Sequence, residues 1–154
     1  MFVIYDENTK FPVKVWLSGI DRIEDTCIEQ AYHLANLPFL HKWACLMPDT
    51  HTGKGMLMGS VSYVVEGRGN EESFHTSSHG AGRAYSRTGA MNAFTTEQVM
   101  VDLKEQGVVL GKRKKNDVAE ECRFAYKDID EVMAQQTDLV TPVRKLKTLG
   151  VVKG

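Results

Sequence analysis

Cysteine is scarce, and its placement rules out two architectures. The three in the chain, Cys27, Cys45 and Cys122, are an odd number in unrelated settings, with no Cys-x-x-Cys pair to accompany a histidine pair. The sequence therefore supports neither a disulfide framework nor a structural zinc site, and a reducing cytoplasm is the expected setting. Long apolar runs are missing too. Nowhere do eighteen uncharged apolar residues stand together, and Met1-Phe2-Val3-Ile4-Tyr5-Asp6-Glu7 puts no basic leader ahead of an apolar stretch. Neither export nor a membrane partner is expected. Net charge is almost absent: at −1 over 154 residues, no whole-molecule field draws nucleic acid, so any such contact has to come from a local basic patch. What the chain does contain, 42% hydrophobic and 25% charged residues, suits one modest core. A single domain over residues 1–154 is the expectation.

Short β-rich runs at residues 2–5 and 12–17 flank the turn-prone Asp6-Glu7-Asn8-Thr9-Lys10 and predict a hairpin. Asp21 and Glu24 have the spacing of a capping box before a helix whose apolar stripe is Cys27, Ile28, Ala31, Leu34 and Ala35, with Tyr32 and His33 at its edge. The uncharged Trp43-Ala44-Cys45-Leu46-Met47 predicts a buried strand, and residues 59–65 predict another. Thr95-x-x-Gln98 opens a helix with Val99, Met100 and Leu103 inward and Gly107 as its stop. Val108-Val109-Leu110 is a short strand. Asp128-x-x-Glu131 opens an amphipathic helix carrying Val132, Met133, Gln136, Leu139 and Val140, and residues 149–153 form a closing strand. Together these predict an α+β fold, a mixed sheet flanked by about four helices.

Two glycine-punctuated loops carry the reactive side chains. In Ser77-Ser78-His79-Gly80-Ala81-Gly82-Arg83 a titratable nucleophile stands beside backbone N–H groups, ahead of a helix expected from Gly80 to about Ala90. Gly80 and Gly82 let the main chain approach an anion, and Arg83 and Arg87, four apart, would share a helical face with forked donors for phosphate oxygens. A tight turn with a solvated histidine accounts for the same letters. Pro48-Asp49-Thr50-His51-Thr52-Gly53-Lys54-Gly55 follows a strand, a usual place for function. There Asp49 can be a turn cap, His51 an exposed loop residue and Gly53-Lys54-Gly55 a cationic turn. Asp49 and His51 are both legitimate metal ligands, yet two ligands one residue apart do not make a site. Lys112-Arg113-Lys114-Lys115 is either a solvated turn or a local patch for an RNA backbone.

The histidine loop resembles the guanylate-accepting motif of the RtcB family of RNA ligases, and three further blocks resemble that family in the same order. They are the Met47-Pro48-Asp49 loop, Ser62-Tyr63-Val64-Val65 through Ser73-Phe74, and the run from Ala125-Tyr126-Lys127-Asp128-Ile129-Asp130 to Val151-Val152-Lys153-Gly154. The resemblance places about residues 10–60 with the family's N-terminal part and about 61–154 with its C-terminal part. It implies GTP-dependent joining of RNA 3′-phosphate or 2′,3′-cyclic phosphate ends to 5′-hydroxyl ends, through a guanylate carried on His79. It further implies that Asp49 orients His79, that Gly80, Ala81 and Gly82 border the nucleotide, and that Ser62, Tyr126 and Lys153 contact it. Guanine nucleotide and RNA ends are the implied partners.

The chain also departs from that family. Members carry a long central region between the Asp49-like loop and the Ser62-like strand, and it supplies the manganese ligands; here it is missing, with the join near Gly59-Ser60. Manganese is thus a family expectation without ligands in this chain: His33, His41, His51 and His75 have no spacing that groups them, and no metal-binding residue is assigned. Ahead of Tyr126 the family's Asp-Glu-x-Pro is replaced by Ala119-Glu120-Glu121-Cys122-Arg123. Two alternatives follow from the lost ligands: a non-catalytic module that binds guanine nucleotide or RNA ends, and a remnant without a role or a fragment needing a second polypeptide to supply the central region. Association into oligomers is one remedy for sheet edges the deletion leaves unpaired.

Overall fold

The computed structural model describes residues 1–51, 61–111 and 118–152. The predicted hairpin is present: β1 (Phe2–Ile4) pairs antiparallel with β2 (Val13–Val15), with Val3 opposite Lys14. β2 then pairs in parallel with β3 (Ala44–Leu46). Because side chains alternate across a strand, Val13 and Val15 both point inward and are wholly buried. Helix α1 (Asp25–Ala35) crosses between β2 and β3 and lays Cys27, Ala31 and Ala35 on the sheet. These small residues, four apart, share one helical face and let the helix sit close. The helix starts at Glu24, whose side chain makes no capping bond, and Asp21 belongs to a separate 3₁₀ turn, Ile20–Arg22. The expected capping box there does not form.

A second core gathers around α2 (Arg87–Ala93), α3 (Thr96–Glu105) and the 3₁₀ turn Val118–Glu121, with Ala90, Val99, Leu103, Val118, Ala119, Cys122 and Ala125 buried together. The capping box on α3 is reciprocal: the Gln98 N–H donates to Thr95 Oγ1 (3.2 Å) and the Thr95 N–H to Gln98 Oε1 (2.8 Å). Gly107, at φ +70°, turns the chain out of that helix. Beyond it β5 (Val109–Gly111) pairs in parallel with β7 (Gly150–Val152).

A third cluster joins the two parts. Trp16, adjoining β2, packs with Met133 of α4 (Ile129–Ala134) and with Leu139 and Val140, and its indole N–H donates to Asp138 Oδ2 at 2.9 Å. The Trp43 indole N–H donates to the Glu72 carbonyl at 2.9 Å, and Lys14 pairs with the Glu72 carboxylate. Helix α4 is shorter than expected, ending before Gln136, because Val140 opens a strand the sequence did not announce, β6 (Val140–Lys147). It pairs antiparallel with β4 (Val61–Gly67). Pro142 hides this strand from a sequence reading, since proline cannot donate to a ladder. It is accommodated at a register shift, where Val65 faces Pro142 but Val64 faces Arg144, leaving Val143 bulged.

Among the described residues the fold is thus α+β with four α-helices and mixed strand pairing, distributed over three small sheets, β1-β2-β3, β4-β6 and β5-β7, rather than one. All three cysteines are free thiols, and burial raises the pKa of each above the usual thiol value. No helix among the described residues is long and apolar enough to cross a membrane.

Candidate functional site

Two loops meet although their strands do not. Asp49 follows β3 and His79 lies beyond β4, and these strands belong to different sheets rather than to the one mixed sheet that the sequence predicts. What joins the loops is packing between their backbones. Gly82 has φ +74°, and a Cβ built there would lie 2.3 Å from the Asp49 carbonyl oxygen. Both the left-handed turn and the close approach therefore require glycine. The contact seats the histidine loop directly on the Asp49 backbone.

Hydrogen bonds finish the register. Asp49 Oδ2 lies 3.0 Å from His79 Nδ1 and also accepts the His79 backbone N–H at 3.2 Å. The Asp49 N–H in turn donates to Ser78 Oγ at 3.3 Å, and the Ser78 N–H to Oε1 of buried Gln136 at 2.9 Å. The Asp49 side chain is 8% exposed and that of His79 is 92% exposed. The Asp49 carboxylate thus engages the ring at Nδ1, while the ring as a whole stands in solvent. His51, a residue for which the sequence left several roles open, donates from Nδ1 to the Asp49 carbonyl at 2.8 Å.

Asp49, His51, Ser62, His79, Gly80, Ala81, Gly82 and Tyr126 all line one cavity of about 510 Å³, with Tyr63, Ile129 and Met133 as apolar wall. That volume suits a small-molecule site. Among the described residues no acceptor takes the backbone N–H of Gly80, Ala81 or Gly82, so this turn presents donors to an anion. Lys153 and the basic run 112–115 lie outside the described residues.

Arg83 and the segment after it correct the sequence reading. No helix starts at Gly80. Instead Arg83 forms an antiparallel bridge with Tyr126, the Ala84 and Tyr85 N–H groups both donate to the Ala125 carbonyl, and helix α2 begins only after Ser86, which caps it by accepting from the Gly89 N–H. Arg83 is buried, and its guanidinium is spent internally, on Glu121 (3.2 Å), the Tyr126 hydroxyl (3.0 Å), and the carbonyls of Tyr85 (2.9 Å) and Glu120 (2.5 Å). A guanidinium so occupied is not a phosphate ligand. Arg87 reaches the other Glu121 oxygen at 3.3 Å.

Glu121 is the residue the sequence did not single out. Its carboxylate also accepts from the Tyr126 hydroxyl, so the altered segment before Tyr126 supplies that tyrosine's anchor. Burial first, then the Glu121 carboxylate, drives the phenol pKa well above its ordinary value. With its hydroxyl held, Tyr126 borders the cavity as a fixed ring.

The family model described as tRNA-splicing ligase RtcB matches residues 57–154. The RNA-splicing ligase RtcB of Escherichia coli K12 is 46% identical over 97 residues, 63% of this chain and 23% of the relative. The tRNA-splicing ligase RtcB of Methanococcus maripaludis is 39% identical over 101 residues, 63% of this chain and 21% of the relative. The RNA-splicing ligase RtcB of Mycobacterium tuberculosis is 37% identical over 99 residues, with 63% and 23% covered. The chain belongs to the RtcB family. It spans about a quarter or less of the length of the curated relatives it matches. The stretch matched by the family model holds Ser62, His79, Gly80, Ala81, Gly82, Tyr126 and Lys153, whereas Asp49 lies before it.

Proposed function

We propose that this chain is an RNA ligase domain of RtcB type, using GTP to join RNA 3′-phosphate or 2′,3′-cyclic phosphate ends to 5′-hydroxyl ends in a cytoplasmic setting. The observation that carries this reading is the 3.0 Å approach of the buried Asp49 carboxylate to His79 Nδ1. In the first step His79 Nε2 forms a bond to the α-phosphorus of GTP, the α–β bridging P–O bond breaks, and pyrophosphate leaves with the electron pair. The imidazole becomes positively charged, and Asp49 stabilises it through Nδ1–H. The N–H groups of Gly80, Ala81 and Gly82 face the phosphate oxygens, while Ser62, Tyr126 and Lys153 grip the guanine nucleoside. A 2′,3′-cyclic phosphate is first opened by water at its P–O2′ bond to the 3′-phosphate; an oxygen of the 3′-phosphate then takes the guanylate as the P–Nε2 bond breaks, and a 5′-hydroxyl displaces GMP.

Among the described residues no group of three or more His, Cys, Asp or Glu side chains could hold a metal ion. They do not make a manganese site, and the steps above use protein groups alone. That same observation favours the second reading, a module that binds guanine nucleotide or RNA ends without forming the adduct. Incubation with α-labelled GTP and manganese followed by denaturing electrophoresis separates the two. An acid-labile label on the chain, lost in His79→Ala and reduced about 10²- to 10⁴-fold in Asp49→Asn, supports the ligase. Nucleotide binding without label supports the module, and neither label nor binding, with or without a complementing polypeptide, removes both.

A further inference from the structure

We propose that Lys127 is the positioning residue that holds Asp49 against His79, an assignment that deepens the ligase reading. Three bonds carry it. The Lys127 ammonium donates to the carbonyls of Pro48 (3.2 Å) and Thr50 (2.6 Å), the residues on either side of Asp49. Its backbone N–H donates to the Gly82 carbonyl at 3.0 Å, in the histidine loop. One residue therefore bonds both loops of the site, and it reaches across 77 to 79 positions of sequence to do so. A cation bridging two carbonyls fixes the peptide planes around Asp49, and with them the direction of its carboxylate.

The other anchors act differently: His51 Nδ1 on the Asp49 carbonyl (2.8 Å) and the Thr50 N–H on the Met47 carbonyl (2.9 Å) are bonds within residues 47–51 that tie the loop to no other element. The Gly82 approach is a contact that blocks compression but does not resist rotation of the Asp49 peptide. The Ser78 hydroxyl bond, at 3.3 Å, is long. Lys127 is half-buried, and it does not touch the exposed His79 ring or line the His79 cavity, so it acts through Asp49. Burial lowers its ammonium pKa, opposed by the neighbouring Cys27, Asp49 and Glu24.

The test reads the imidazole directly. Two-bond ¹H–¹⁵N correlation spectra of the full chain report the His79 tautomer without any ligase activity. Wild type should show His79 mainly with its proton on Nδ1. Lys127→Met should give a mixture with at least about a third of the Nε2–H form, while Lys127→Arg, which keeps a cation with two donors, should restore the wild-type pattern. GTP labelling should fall in Lys127→Met through its rate constant rather than through the GTP concentration for half-saturation. Should Lys127→Met not fold, Lys127→Gln, with one donor on a shorter stem, is read in the same way. A folded Lys127→Met or Lys127→Gln with an unchanged tautomer, beside an Asp49→Asn control that changes it, overturns the proposal. Absence of labelling in wild type with the tautomer shifts intact leaves the positioning role standing and removes the ligase reading.

Discussion

The two sides of the site are built in opposite ways. Asp49 rises from a sheet of three-residue strands whose Val13 and Val15 are wholly buried. His79 follows a ribbon of seven- and eight-residue strands that is exposed along most of its length, with Val64, Val65, Val143 and Leu146 open to solvent. Ladder length is therefore no guide to burial here. The short strands are fixed by apolar packing, whereas the long ones are joined mainly by backbone bonds that water would also satisfy. The consequence is positional: the Asp49 carboxylate is held from below, while the His79 ring stands open to solvent.

The strongest way to break this contrast is beneath the glycine turn. Arg83 and Glu121 are each 2% exposed as side chains and pair at 3.2 Å, so Arg83→Met takes from the buried carboxylate its buried cationic partner, with Arg87 still at 3.3 Å, and should cost about 3 kcal/mol in denaturant unfolding. Next comes Gly82→Ala, which adds a Cβ 2.3 Å from the Asp49 carbonyl in a left-handed turn. A loss of roughly 2–3 kcal/mol is expected, together with loss of the His79 tautomer preference. On the exposed side the prediction reverses: His79→Ala and Val64→Ala should each leave unfolding free energy within about 0.5 kcal/mol of wild type, although the former abolishes labelling.

The smallest effect sharpens the comparison by pH. Tyr126 has an ordinary value of 10.0, and the folded state holds it higher, through burial and then Glu121. Its contribution to stability is complete below the unfolded value and is lost as pH rises from there through the folded one. In an ultraviolet phenolate titration Tyr126 should be the last tyrosine to ionise, and Tyr126→Phe should remove that late step and flatten the fall in stability above pH 10.0.

Where neighbours in sequence sufficed, the chain was readable. The hairpin before Val13, the reciprocal Thr95–Gln98 box and the Asp128 cap are local arrangements, and each forms. Reading failed where a distant partner decided the outcome. Arg83 looked like the exposed face of a helix until Glu121 and Tyr126, some 40 positions away, consumed its donors, and the true helix start had a legible mark in Ser86. The strand through Pro142 needed β4 to exist at all. Nothing local marks Lys127, whose bonds to Pro48 and Thr50 cross 79 and 77 positions of sequence.

The sequence by itself determined the α+β class, the first hairpin, the caps at Thr95 and Asp128, and membership in the RtcB family, since each rests on residue types at short fixed spacings. Only the tertiary structure decided that Asp49, outside the stretch matched by the family model, reaches His79. That meeting depends on a glycine with room for a foreign backbone, an ammonium spanning two carbonyls and a core shared by Trp16 and Met133. Contacts of that kind link residues far apart in the chain, so no local pattern encodes them.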